Sequence, residues 1–115
     1  MKIKEVVLQT QTVVIFQIGE NAQDNTNLII NNNEEDLWFH AENVSSCHVV
    51  AKMPNEYTKC EKRYIIKHGA LLCKYHTNKL RCLQNVSVVY TKLKHVKTTS
   101  TPGCVYPYST HIVIV

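Results

Sequence analysis

Asp36-Leu37-Trp38-Phe39-His40, followed eight residues on by His48-Val49-Val50, is the stretch that decides the fold. It holds the only tryptophan and one of the two phenylalanines. Large aromatic side chains bury roughly 150–250 Å² each, so three large apolar residues in succession are costly to leave in water. A short continuous apolar run reads as a central strand covered on both faces. His40 closes that strand, and His48 stands at the mouth of the next, read as Cys47 to Met53. Pairing of the two through the turn at 43–46 brings the two imidazoles near each other.

On either side the pattern alternates between extended and helical periods. Residues 1–10 read as a short strand or a loose lead-in. Thr12 to Ile18 is β-branched and reads as a strand stopped by Gly19. Asn21 to Asn25 reads as one or two helical turns leading to Leu28-Ile29-Ile30, and 31–35 as an exposed turn. From Tyr57 to about Asn78 the apolar residues fall at 57, 60, 64, 71, 72 and 75, the stripe of one long amphipathic helix. Gly69 inside it costs about 1 kcal/mol against alanine, which suggests close packing on a sheet. Val86 to Tyr90 reads as a strand, Pro102-Gly103 as a turn, Cys104 to Tyr106 as a short strand, and Ile112 to Val115 as a final buried strand. Strands, a helix and strands again predict a single α+β domain over 1–115, a largely antiparallel sheet with the long helix on one face.

No apolar run approaches the ~20 residues a membrane span needs, and the N-terminus has no secretory pattern. Five cysteines, an odd number with no Cys-x-x-Cys pair, predict free thiols in a reducing, cytoplasmic setting. The net charge of +4 conceals a split. Residues 1–56 hold three lysines against eight acids, 57–97 hold ten Lys and Arg against one acid, and 98–115 hold neither. Lys59, Lys62, Arg63, Lys67 and Lys74 lie on the polar side of the long helix, and Lys92, Lys94 and Lys97 follow the next strand. Such a split suggests a one-sided basic face, which reads either as a solvated surface that keeps a small protein soluble or as one that tracks phosphates, with Tyr75, Tyr90 and Tyr106 available to stack on bases.

The other constellations are weaker. Cys47 beside His40 and His48 has the residue types of a nucleophile with a base, or of half a zinc site. Side chains alternate across a strand, however, so Cys47 and His48 face opposite ways. No further ligands stand at good spacing; Cys73-x-x-His76 is isolated. No metal or other cofactor is expected. Gly19 followed by Asn21 and Asn25 reads first as a turn with a helix cap.

Gly19-x-Asn21-Ala22-x-x-Asn25, then 36–40, then His48-Val49-Val50, resemble the first half of the NFACT-R domain. Val88-Val89-Tyr90-Thr91-Lys92-Leu93-Lys94-His95-Val96-Lys97, then Pro102-Gly103-Cys104-Val105, resemble its second half. The blocks run in order over nearly the whole chain. That domain is the proposed RNA-binding module of ribosome quality-control factors of the NEMF and RqcH type, and it also occurs in small proteins. The resemblance implies binding without catalysis to structured RNA of the translation apparatus. It makes Asn21, Asn25, Trp38, His40, His48, Tyr90, Thr91 and Lys94 the motif positions. It assigns Lys92, Lys94 and Lys97 to phosphates, and makes His40 and His48 polar contacts or strand anchors. The chain departs from the pattern at Ser45-Ser46-Cys47-His48, where many members have Pro-Gly before the Ser/Ala-His. Two rivals stand beside RNA binding: an adaptor docking on a protein partner through the acidic first half, and an enzyme acting on RNA through Cys47 and His48. The sequence does not specify an oligomeric state.

Overall fold

In the computed structural model, which describes residues 1–115, the chain runs β1 (Lys2–Val7), β2 (Val13–Ile18), α1 (Ala22–Ile30), β3 (Leu37–Ala41), β4 (Val49–Lys52), α2 (Lys59–Tyr75) and β5 (Ser87–Lys92). A 3₁₀ turn (Leu93–His95), β6 (Val96–Thr98), β7 (Val105–Pro107) and β8 (His111–Ile114) complete it. Six strands form one antiparallel sheet in the order β1-β2-β4-β3-β5-β8, and β6 and β7 form a separate hairpin. The expected α+β architecture is what the chain adopts.

The Leu37-Trp38-Phe39 run lies in β3, an interior strand paired with β4 and β5. Its alternation serves two layers. Leu37 and Phe39 join the main core with Phe16, Val49, Ala51 and Ile65. Trp38, one residue between them, joins a second core with Leu28, Val50, Leu93 and Val96. So α2 covers one face of the sheet, and α1 with the β6–β7 hairpin covers the other.

Helix α2 starts where its chemistry dictates. Thr58 Oγ1 accepts from the Glu61 amide at 3.1 Å and Glu61 Oε1 accepts from the Thr58 amide at 3.0 Å, a reciprocal capping box. Glu61 Oε2 also accepts from the Thr10 hydroxyl at 2.7 Å, tying the helix start to the β1–β2 turn. Gly69 is where the helix touches the sheet: a Cβ there would lie 2.3–2.7 Å from three carbons of the Phe39 ring. Close packing is thus the reason for a glycine in mid-helix.

Residues 1–10, read as a short strand or a loose lead-in, supply a paired edge strand, β1. Two expectations change. The one or two turns after Asn21 extend to a nine-residue helix. The final strand is not buried: β8 is an edge strand, with Ile112 and Ile114 51% and 62% exposed. Its apolar run reads as core only until the sheet order is known. No helix is long and apolar enough to cross a membrane.

Candidate nucleic-acid interface

The ten cations of 57–97 do not form one surface. Lys59, Arg63 and Lys67 are exposed and spaced four apart, so they stand in a row along α2 with a cation about every 6 Å. No ion pair within the chain engages them; the salt bridges involve only Met1, Lys92 and Lys94. Lys62 is half-buried on the flank. Lys74 is 8% exposed, lies over the Tyr75 ring and reaches the Val115 carbonyl at 3.5 Å, so it is turned inward.

In the 92–97 stretch two of the three lysines are engaged within the chain. Lys92 and Lys94 both hold Glu35, at 2.8 and 3.0 Å. These two ammonium groups, Lys92 first, hold the Glu35 carboxyl at about 2. The strand register explains the pairing: β3 and β5 place Leu37 opposite Lys92, which brings 34–36 against 92–94. Lys97 is exposed on β6, in the layer opposite α2, with its ammonium 5.6 Å from the centre of the Tyr108 ring. The acids of the first half are engaged only in part: Glu5, Glu34, Glu42 and Glu56 make no ion pair within the chain. Glu20 and Asp24 engage the Met1 amino group, and Asp36 is buried, accepting from the amides of Met53 and Asn33. Replacing Glu35 by glutamine is therefore expected to free two cations: polyanion binding should tighten, and the log K against log salt slope should steepen by roughly 1–2. Titration of labelled RNA at several salt concentrations measures both.

Away from α2's outer row, the motif positions converge. Asn21, Asn25, Trp38, His40, His48 and Gly103 all line one groove of about 1260 Å³ at the end of the sheet. Asn21 caps α1, accepting from the Asp24 amide at 2.8 Å. The Asn25 side chain lies over Gly19, where a Cβ would meet its Oδ1. Gly103, at φ +77°, donates its amide to Thr26 Oγ1 at 2.8 Å and packs on Ala22, so the Pro102-Gly103 turn seats on the first turns of α1. Trp38 Nε1 donates to His48 Nδ1 at 3.2 Å, and the His40 ring stacks on Trp38 with centroids 5.7 Å apart. The two imidazoles are neighbours, as their placement on adjacent strands suggests, with centroids 4.9 Å apart. Burial lowers the pKa of both: His48 falls to about 3, with His40's charge a lesser cause, and His40 is lowered with Lys79 adding to it.

Thr91 and Tyr90 serve the frame rather than the groove. Thr91 is buried and donates to the Ser109 carbonyl at 3.0 Å, with His95 Nδ1 at 3.2 Å, pinning the turn before β8. Tyr90 packs beside Phe39 and His111. Of the other tyrosines, Tyr75 and Tyr106 are exposed.

Cys47 points to α2 while His48 points to Trp38, so the imidazole is not aimed at the thiol. Cys47 Sγ meets the Cys73 carbonyl at 3.4 Å and the Thr77 hydroxyl at 3.5 Å. The two cysteines share a hydrogen bond that holds Cys47 below the usual thiol range and Cys73 above it. Nowhere do three or more His, Cys, Asp or Glu side chains gather as metal ligands would. Sequence reasoning did not single out Lys2, Thr77 and Arg81, which also line the groove, and met His76 only as an isolated partner of Cys73. They come from β1 and from the irregular segment after α2, where no periodic pattern marks a wall.

The profile described as the NFACT protein RNA binding domain matches residues 4–107. Coiled-coil domain-containing protein 25 of Mus musculus is 32% identical over 98 residues, covering 81% of this chain and 45% of that protein. Its Bos taurus counterpart is 33% identical over 88 residues, covering 72% and 40%. The chain thus spans less than half the length of the curated relatives it matches. The C-terminal part of the fibronectin/fibrinogen-binding protein from Streptococcus suis superposes over 100% of this chain and 45% of its own, with a TM-score of 0.80 at 23% identity, a likeness of fold.

Proposed function

The chain belongs to the NFACT protein RNA-binding domain family, and from that premise we propose that it is a non-catalytic module for structured RNA of the translation apparatus. Its place would be tRNA or rRNA on stalled ribosomes in the cytoplasm. The observation that carries this reading is the row Lys59, Arg63 and Lys67, exposed and unpaired on the outer side of a helix whose inner side is fixed to the sheet. A polyanion meets fixed charges there, with no internal carboxylate to displace.

Reversing Lys59, Arg63 and Lys67 to glutamate together is expected to abolish retention on tRNA in low salt. The three side chains are exposed and unpaired, so the unfolding midpoint should stay where it is. Undiminished retention would move the interface off α2. Competition between tRNA, rRNA fragments and duplex DNA then ranks the nucleic-acid class.

One observation favours the adaptor. The β8 edge offers unpaired backbone and two exposed isoleucines, Ile112 and Ile114, in a segment without charge. Partners captured from lysate that survive nuclease treatment, and are lost when Ile112 and Ile114 become lysine, would favour that reading.

A further inference from the structure

The groove and the α2 row present different chemistry. The row offers charge. The floor of the groove offers flat rings whose edges are already assigned. Trp38 and His40 lie parallel, 5° apart in plane, and His48 stands edge-on to both, at 5.4 and 4.9 Å between centroids. Because Trp38 Nε1–H donates to His48 Nδ1, the His48 hydrogen sits on Nε2. Because His40 Nδ1 lies 2.7 Å from the Ala41 carbonyl, it donates there, and His40 Nε2 is left as an acceptor. No hydrogen bond within the chain engages either Nε2. A fixed donor and a fixed acceptor therefore stand on adjacent rings at the floor of a groove of about 1260 Å³. That exceeds the roughly 300–1,000 Å³ that holds a drug-sized ligand.

A phosphate is a poor match for such a pair, since it accepts hydrogen bonds and gains nothing from an acceptor. A nucleobase edge is a good match: it carries donors and acceptors side by side, and it becomes available when the base is unpaired. The rim suits the flanking backbone. Arg81 and Lys2 are exposed there; of the two carboxylates at the rim, Glu20 is held by the Met1 amino group and Glu42 is not. The geometry points to an unpaired nucleotide as the ligand of this groove, its base edge read by His40 Nε2 and His48 Nε2. This rests on the RNA reading and narrows it from a charged surface to an unpaired base.

The test uses the whole chain with four ribo-homopolymer decamers, of A, C, G and U, and a blunt RNA duplex. Anisotropy gives affinity, and the emission of Trp38, the only tryptophan, reports on the groove floor. At least one homopolymer should shift Trp38 emission and bind more tightly than the duplex. His40→Phe keeps a ring on Trp38 but removes the acceptor. It should cost about tenfold in affinity for that homopolymer, one hydrogen bond's worth, and leave duplex binding unchanged. His48→Gln, scored only where its unfolding midpoint shows a folded chain, should do the same. Equal affinity for every probe with unchanged emission, or a base preference that His40→Phe retains, overturns the groove assignment. Duplex binding without base preference overturns the groove alone, and binding to no RNA at low salt overturns the wider reading with it.

Discussion

Gly69→Ala is expected to make the chain less stable by about 2 kcal/mol, although it replaces a poor helix former with the best one. The added Cβ would stand 2.3–2.7 Å from three carbons of the Phe39 ring, far inside van der Waals contact. Phe39 is fully buried and cannot swing away. Its strand is held by β4 on one side and β5 on the other, its ring rests near Tyr90 at 6.2 Å, and the adjacent Trp38 is anchored in the opposite layer. Overpacking a fitted core costs about 1–3 kcal/mol and occasionally more, which exceeds the roughly 1 kcal/mol that alanine returns in helix propensity. Urea unfolding of parent and variant measures the difference, and a midpoint lower by about 8–10 °C should accompany it. Phe39→Leu provides the complementary arm. Alone it should destabilise; combined with Gly69→Ala it should cost less than the sum, because the smaller side chain makes room for the Cβ. A Gly69→Ala chain as stable as its parent would mean that α2 does not rest on Phe39.

That contact shows how much of the molecule is written locally. The Leu37-Trp38-Phe39 run needs cover on both faces, and it has it: Phe39 meets α2 and Trp38 meets α1's layer. The amphipathic stripe locates α2, and Thr58 with Glu61 marks its start. What local pattern cannot supply is sheet order. Ile112-Val113-Ile114 is as apolar as an interior strand, yet β8 lies outermost, beyond β5. Lys92 and Lys94 look free in a basic stretch, but only the β3–β5 register reveals that Glu35 sits against them. Lys74 follows the polar side of α2 by spacing and is drawn inward near Val115 at the helix's end. Helix α1 is longer than its residues favour. Asn, Thr and Ile are middling or poor helix formers, but Leu28 packs into the Trp38 core and Thr26 receives the Gly103 amide. Tertiary contacts, which no window of sequence contains, set these outcomes. The candidate site divides the same way: the cation row on α2 is legible from a spacing of four, whereas the groove is assembled from six separate segments.

Lowering the pH from 7 to 4.5 is expected to remove about 2.5 kcal/mol of stability through His48. In the unfolded chain this imidazole takes up a proton near 6.5; in the folded chain burial against Trp38 postpones that to about 3. Between those values the unfolded state binds more protons than the folded one, so stability is complete above about 6.5 and is lost as pH falls toward 3. His40, also lowered by burial, adds in the same direction. His68 and His76 are lowered as well, but they are largely solvated and add little. Stopping at 4.5 leaves most carboxylates ionised, so the window isolates the imidazoles. His48→Gln, whose side-chain oxygen can still accept from Trp38 Nε1, should flatten the profile to below about 1 kcal/mol over the same range. A parent chain whose unfolding free energy is level from pH 7 to 4.5 would show that His48 is not held neutral against Trp38. The transition also separates the two binding chemistries. Protonating His40 removes the acceptor at the groove floor, whereas the lysines and arginine of α2 keep their charge throughout. Once the pH falls through the lowered pKa of His40, therefore, the chain should still be retained on RNA through Lys59, Arg63 and Lys67 while losing its discrimination between bases.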